Sequence, residues 1–161
     1  MKKFLIFLLI PLFSFSQEQL TEEMIVDHIN DFFNALNVKS YNKTLLSQKV
    51  TSDFIIYEMG DKFTLSEFRD LIESAGYLGW ESTDWFLSDF TISIDNNSAH
   101  ASYLNTGVFI YPNPYALEVL LKENKQWLES VFIVREGEDL KIKFLQSDEI
   151  YSKISVFKKS S

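Results

Sequence analysis

The sequence contains no cysteine, so the protein can form neither a disulfide bond nor a thiolate metal site. It also lacks a glycine-rich phosphate loop, the histidine spacing of metal sites, a serine nucleophile elbow and a diagnostic pair of carboxylates. Only two histidines are present. We therefore expect stability to come from packing, we expect no metal and no cofactor, and no motif assigns a catalytic class.

Residues 1–16 have the layout of a secretory signal peptide. Lys2 and Lys3 precede an apolar run over residues 4–13, and the small-residue site at residues 14–16 is followed by Gln17. The apolar run is shorter than the ~20 residues that a membrane-spanning helix needs. We therefore expect an exported protein, periplasmic or secreted, with a single mature domain over residues 17–161 and no membrane association after cleavage.

The mature chain is acidic. Without Lys2 and Lys3, 13 basic residues remain against 23 acidic ones, so the formal net charge is −10. This charge argues against nucleic acid and anionic membrane surfaces as partners. The mature chain is also rich in aromatic residues, with 11 Phe, 7 Tyr and 3 Trp left once residues 1–16 are removed. These rings either build an aromatic core or line a cavity.

Three helices are predicted before the main sheet. Apolar residues recur at helical spacing over residues 22–36, after a possible N-cap at Thr21, and a short second helix is expected over residues 41–49. Thr64 and Glu67 have the spacing of a capping box, which predicts a third helix over residues 65–75 with Gly76 as its stop. These helices are expected to cover the sheet.

Alternating apolar residues predict the strands that follow. We expect a first strand at 54–58, then a hairpin formed by 90–95 and 99–111, and a second hairpin formed by 126–135 and 140–146. Residues 131–134 are apolar on both faces, which predicts cover on both sides of this strand. One cover would be the helices, and the other a second subunit or the C-terminal tail.

The segment 112–125 interrupts this pattern. Pro112 and Pro114 are expected to stop the preceding strand, because proline cannot continue a central ladder. An ordinary long hairpin loop, a mobile lid and one short helix over residues 116–124 all fit the segment.

The order of elements resembles the nuclear transport factor 2-like superfamily, especially its SnoaL-like branch. Three stretches carry the resemblance: residues 41–54, residues 96–103, and residues 129–137 running into 140–147. The sequence departs from the usual pattern in having no tryptophan in the last strand and in the 112–125 insertion.

The resemblance implies an α+β fold in which N-terminal helices pack on a curved antiparallel sheet to form a cone. A pocket would open at the wide end, and a homodimer would form through the outer face of the sheet. The superfamily contains isomerases, cyclases and dehydratases as well as binding and assembly domains, so the fold does not choose a function.

Three ionisable residues are candidates for acid–base chemistry. Asp84 lies close to Trp80 and Trp85, Glu129 interrupts an apolar strand, and His28 falls on the apolar stripe of the first helix. Each has a structural alternative. Asp84 could be an ordinary loop-end carboxylate, His28 a histidine at the edge of the core, and Glu129 a member of a cross-strand ion pair with a neighbouring lysine, Lys141 or Lys143.

Other residues are candidates for ligand binding. Trp80 and Trp85 could form the mouth of a pocket or simply plug the end of the core. Four polar side chains are expected on or near the inner faces of the strands: Tyr57, Tyr103, Asn105 and Gln146. In contrast, His100 is expected on the outer face, and Glu58 is expected to be solvated.

Three functions remain open at this point. The favoured one is an exported domain that binds an apolar small molecule in an aromatic-lined pocket without catalysis. The second is a cofactor-free isomerase, dehydratase or cyclase with an acid–base residue in the pocket. The third is a dimeric structural or interaction module whose cone is filled by its own side chains.

Overall fold

The computed structural model describes residues 19–158, so the predicted signal peptide at 1–16 lies outside the described residues. The described residues form three α-helices and six strands, joined by one turn of 3-10 helix at Tyr77–Gly79: α1 (Glu22–Leu36), α2 (Lys43–Lys49), β1 (Val50–Glu58), β2 (Asp61–Thr64), α3 (Leu65–Ser74), β3 (Ser82–Ile94), β4 (Ser98–Asn113), β5 (Ala116–Glu136) and β6 (Asp139–Phe157). No helix within residues 19–158 is long and apolar enough to cross a membrane. The predicted α+β fold is confirmed.

The helices begin where side chains cap their free N–H groups. The Thr21 hydroxyl accepts a hydrogen bond from the Met24 N–H at 3.2 Å, and α1 runs over the predicted residues 22–36. Helix α2 starts two residues later than predicted, because Asn42 caps it. In α3 the capping box is present: Thr64 N–H donates to Glu67 Oε2 at 2.8 Å, and Glu67 N–H donates to Thr64 Oγ1 at 3.4 Å.

The six strands form one mixed, curved sheet with the order β2-β1-β6-β5-β4-β3. Strand β1 runs parallel to β6, and every other neighbouring pair is antiparallel. The parallel pairing was not predicted, because it joins segments about 90 residues apart in the chain. Helix α1 packs on the inner face, where Ile25, Ile29 and Phe32 meet buried residues such as Val131 and Ile133.

The 112–125 segment is neither a lid, a long loop nor a helix. Strand β4 runs to Asn113, a tight turn follows, and β5 starts at Ala116. Pro112 is tolerated because β3 begins opposite Ile110, so this end of β4 has no partner on that side. The hairpin tip projects beyond the rest of the sheet, and Tyr115 at its turn is 97% exposed.

The segment from Ile150 onward is not a separate tail, because β6 continues to Phe157 and pairs with β5 throughout. It therefore extends the sheet and does not cover the outer face. On that face Phe86, Leu128 and Phe132 are exposed. The predicted homodimer through this face stays a prediction.

Candidate functional site

An apolar cavity of about 320 Å³ lies between the inner face of the sheet and helices α1 and α3. Its walls are mainly aromatic and aliphatic, and all three tryptophans of the protein line it. The apolar side chains facing the cavity include Phe32, Phe33, Leu36, Ile56, Phe68, Leu71, Ile72, Tyr77, Trp80, Trp85, Phe109, Trp127 and Leu145. The polar side chains facing it are Glu58, Glu123, Lys125, Glu129 and Ser147.

Glu129 is the most deeply buried ionisable group at the cavity. Strand β5 places it opposite Tyr103 of β4 and Ser147 of β6. Asn105 Nδ2 donates to Glu129 Oε1 at 3.1 Å, and Ser147 Oγ donates to the same oxygen at 3.2 Å. The other oxygen, Oε2, has no hydrogen-bond partner among residues 19–158. Oε1 is therefore held by two donors, whereas Oε2 is buried on the side of Tyr103.

Burial raises the pKa of Glu129 to about 7, although hydrogen bonds from neighbouring side chains favour the charged form and lower it. The Tyr103 hydroxyl lies beside this carboxyl group but makes no hydrogen bond of normal geometry within the described chain. Burial and the nearby Glu129 charge raise the pKa of Tyr103 well above its usual value. At neutral pH the site thus holds a neutral phenol and a carboxyl group that can gain or lose a proton.

Glu58, at the end of β1, is a second carboxyl group at the cavity. Burial raises its pKa, while Ser147 and Lys125 act in the opposite direction. Glu58 is half-buried and faces the cavity, whereas it was predicted to be solvated, because the alternation that turns Phe54 and Ile56 inward also turns Glu58 inward. That alternation was visible in the sequence.

A charged cluster adjoins this site where β5 and β6 extend beyond it. Glu123 is 9% exposed and accepts hydrogen bonds from Tyr111 Oη at 3.0 Å and Ser152 Oγ at 3.1 Å. Lys125 Nζ lies 2.7 Å from Glu149 Oε2 and 3.6 Å from Glu123 Oε1. Burial lowers the pKa of Lys125, but these two carboxylates outweigh it and raise the pKa overall. Sequence reasoning missed the cluster because it treated residues 112–125 as an interruption.

Five of the predicted site residues come together. Trp80, Trp85 and Glu129 line the cavity. Asn105 does not line it, but its side-chain amide donates a hydrogen bond to Glu129. Tyr103 is buried beside the same carboxyl group. The cross-strand ion pair considered for Glu129 is not formed, because the two candidate lysines bond elsewhere, one to the Gln48 carbonyl and the other to the Asp53 carboxylate.

The two remaining acid–base candidates lie away from the cavity. Asp84 is exposed on β3, since its neighbour Trp85 takes the inward direction. His28 is buried, which agrees with the alternative that it is a histidine at the edge of the core. Its Nε2 lies 3.0 Å from the Lys49 carbonyl oxygen. Burial lowers the pKa of His28. His100 lies on the outer face as predicted, with its Nε2 2.7 Å from Ser130 Oγ.

Tyr57 and Gln146 were expected on inner faces, but the structure places both on the outer face. They lie at opposite positions of the neighbouring strands β1 and β6. Tyr57 follows the inward Ile56 and therefore points outward. Gln146 is turned out by a β-bulge: Ile133 pairs with Ile142 but Phe132 pairs with Phe144, so one extra residue reverses the alternation of β6.

Within residues 19–158, no group of three or more His, Asp or Glu side chains is placed to hold a metal ion. The carboxylates at the cavity are instead held by amide, hydroxyl and ammonium groups of the chain. What the arrangement offers chemically is an apolar chamber with ionisable groups along one wall.

No protein-family model and no curated protein matches this chain. Solved structures do match it. The hexachlorocyclohexane dehydrochlorinase LinA-type3 from Novosphingobium barchaimii superimposes with a TM-score of 0.63 at 10% identity, covering 83% of this chain and 88% of the enzyme. The association domain of CaMKII from C. elegans gives a TM-score of 0.59 at 11% identity, covering 78% and 93% of the two chains.

A third match is an NTF2-like protein of unknown function from Pseudomonas putida, with a TM-score of 0.56 at 13% identity and coverage of 79% and 84%. At such low identity these likenesses describe the fold alone. An enzyme and an association domain are both among the matches. The chain therefore has the nuclear transport factor 2-like α+β fold.

Proposed function

We propose that this protein binds an apolar, ring-bearing small molecule in the cavity between the sheet and α3. The observation that carries the proposal is the open cavity of about 320 Å³, which the chain's own side chains leave unfilled. Its volume lies at the lower end of the ~300–1,000 Å³ typical of ligand pockets. Apolar and aromatic walls with a few polar groups are the usual composition of such sites.

A neutral fluorescent probe tests this proposal. N-phenyl-1-naphthylamine becomes brighter in apolar surroundings, and we expect it to bind at one site per chain. Replacing Ile72→Phe on α3 enlarges a side chain that faces the cavity and should weaken the binding at least tenfold. Leu78→Phe is the matched control, because Leu78 is 57% exposed and does not face the cavity. Equal binding by both variants would place the probe elsewhere and contradict the proposal.

The second candidate function is cofactor-free proton transfer, and one observation favours it. Glu129 lines the cavity and has a pKa of about 7, which suits a group that must both take and return a proton near neutral pH. In this reading the Glu129 carboxylate removes a proton from a carbon acid, while Asn105 and Ser147 hold its Oε1. A dehydrochlorinase is among the solved structures that share this fold.

Proton exchange into a simple carbon acid separates the two candidates. The protein is incubated with 2-tetralone in deuterated buffer, and loss of the proton beside the carbonyl is followed by NMR. A proton-transfer site predicts acceleration by the wild type, loss of most of it in Glu129→Gln, and full retention in Glu138→Gln, whose carboxylate is exposed in the β5–β6 turn. Acceleration that survives Glu129→Gln unchanged would remove Glu129 from this role.

Export belongs to the same proposal, as does membership of the SnoaL-like branch. The signal layout of residues 1–16 supports export, and the stretches at 41–54, 96–103 and 129–147 support the branch. Mass spectrometry of protein recovered from the exporting host should find an N-terminus at Gln17. An intact N-terminus at Met1 would contradict cleavage at this site.

A further inference from the structure

The charged groups that face the cavity have an excess of negative charge. Three glutamates, Glu58, Glu123 and Glu129, face it together with a single cation, Lys125. Lys125 is already paired with two carboxylates, at 2.7 Å to Glu149 and 3.6 Å to Glu123. Within residues 19–158 neither Glu58 nor Glu129 forms a salt bridge. An anionic ligand would therefore meet carboxylates without a free cation to receive it.

One of these carboxylates, Glu129, is buried at the cavity wall. Glu129 is 5% exposed, and its Oε2 accepts no hydrogen bond from the part of the chain that the structure describes. Burial of this kind disfavours the charged form of a carboxylate, and it raises the pKa of Glu129. A ligand that brings a positive charge into the cavity would favour the ionised carboxylate and offset that cost.

The aromatic walls are also suited to a cation. Trp80, Trp85 and Trp127 face the cavity, and indole rings attract cations through their electron-rich faces more strongly than other side chains do. The protein already has an ammonium group in this setting, because Lys125 Nζ lies 5.8 Å from the centroid of the Trp127 ring. Cages of aromatic faces are the usual recognition chemistry for alkylated ammonium groups.

We propose that the ligand of this cavity is an organic cation, an amine or quaternary ammonium group carried on an aromatic or aliphatic body. The cationic group lies against the tryptophan rings near Glu58 and Glu129, and the apolar body fills the space under α1 and α3. The inference rests on the proposed small-molecule binding and deepens it by assigning the charge of the ligand.

Three probes of nearly equal shape test the charge preference. Phenyltrimethylammonium and tert-butylbenzene differ only in the exchange of a charged nitrogen for a carbon, and 4-tert-butylbenzoate adds a negative charge. Tryptophan fluorescence reports binding, because every tryptophan of the protein faces the cavity. At pH 8.5 we expect the cation to bind at least tenfold tighter than tert-butylbenzene, and the anion to bind weakest.

The preference should depend on pH. Burial raises the pKa of both Glu58 and Glu129, so at pH 5.5 Glu129 is largely protonated and the cavity is less negative. The groups next to Glu129 are Tyr103 and Asn105 from β4, Ser147 from β6 and Glu58 from β1. The other charged groups at the cavity are Glu123 and Lys125 from β5, with Glu149 of β6 paired to Lys125, and α1 and α3 face the cavity with apolar side chains. We expect the advantage of the cation over tert-butylbenzene to fall severalfold between pH 8.5 and 5.5.

Isosteric variants complete the test. Combined Glu58→Gln and Glu129→Gln should bring the cation close to the affinity of tert-butylbenzene, whereas Glu138→Gln, which removes a charge outside the cavity, should keep the full preference. If the wild type binds tert-butylbenzene as tightly as the cation, the cavity binds small molecules but the cation assignment is wrong. Tightest binding of the anion has the same meaning. If none of the three probes binds, the proposed binding function fails with it.

Discussion

Replacing Glu129→Gln should change how the free energy of unfolding depends on pH. At low pH the substitution should have little effect on that free energy. In the unfolded chain this carboxyl group ionises with a pKa near 4.5, and in the folded protein burial moves the pKa to about 7. Below pH 4.5 the group is protonated in both states and adds no penalty. Between pH 4.5 and 7 the unfolded chain releases the proton while the folded protein retains it, so the free energy of unfolding falls as the pH rises.

A shift from 4.5 to about 7 corresponds to about 3 kcal/mol, at ~1.4 kcal/mol for each pKa unit. The wild type should therefore lose about 3 kcal/mol of stability to this one group between pH 4.5 and 8.5. Glutamine has the same shape, can accept the hydrogen bonds of Asn105 and Ser147, and cannot ionise. The free energy of unfolding of the variant, relative to that of the wild type, should therefore rise by about 3 kcal/mol between pH 4.5 and 8.5.

Urea denaturation at pH 4.5, 6.5 and 8.5 measures the effect. The difference between the unfolding free energies of wild type and Glu129→Gln is the quantity to follow, because most other ionisable groups contribute equally to both proteins. Glu138→Gln serves as the control. Because the Glu138 carboxylate is exposed, the free energy of unfolding of this variant should change with pH in parallel with that of the wild type. Curves for wild type and Glu129→Gln that stay parallel within about 1 kcal/mol would refute the buried, half-ionised carboxyl group.

Three further changes test other parts of the structure. Thr64→Ala removes the N-cap of α3 and should cost about 1 kcal/mol, with faster amide exchange in that helix than in the sheet; equal exchange would contradict it. A Cβ at Gly107 would lie 2.9 Å from the Trp127 ring, so Gly107→Ala should destabilise by about 1–3 kcal/mol and reduce probe binding, whereas Gly79→Ala, with open space around it, should bind normally. Leu128→Lys on the outer face should convert the predicted dimer to a monomer in light scattering, and a monomeric wild type would refute that dimer.

Local signals in the sequence were enough to place the helices. Helix α1 occupies the predicted residues, and the capping box at Thr64 and Glu67 starts α3 as expected. Gly76 adopts a φ of +80° just after α3, which explains why the helix stops there. Each of these features depends on residues within one or two turns of each other, so the chain needed no long-range information to show them.

The sheet was harder to predict because its limits depend on distant neighbours. Pro112 indicated the end of a strand, yet β4 continues past it because β3 begins only opposite Ile110 and leaves Pro112 without a partner on that side. In β6 the alternation reverses at a bulge that only the pairing with β5 reveals, and this reversal moved Ser147 into the site and Gln146 out of it. The sequence was enough to identify Glu129 as a charged residue in an apolar strand. It was not enough to show that Asn105 and Ser147 would donate hydrogen bonds to it.

Strand β5 shows why the length of the hairpin matters to the site. Glu123, Lys125, Trp127 and Glu129 are alternate residues of this strand and all face the cavity, with the buried Val131 continuing the same face. Because side chains alternate with a period of two, a slip of one residue would turn all four outward and bring their neighbours in. Pairing of β5 with both β4 and β6 over nearly its whole length opposes such a slip. The paired extension at 112–125 therefore adds to the ladder that keeps the carboxylates and the tryptophan ring on the cavity side of β5.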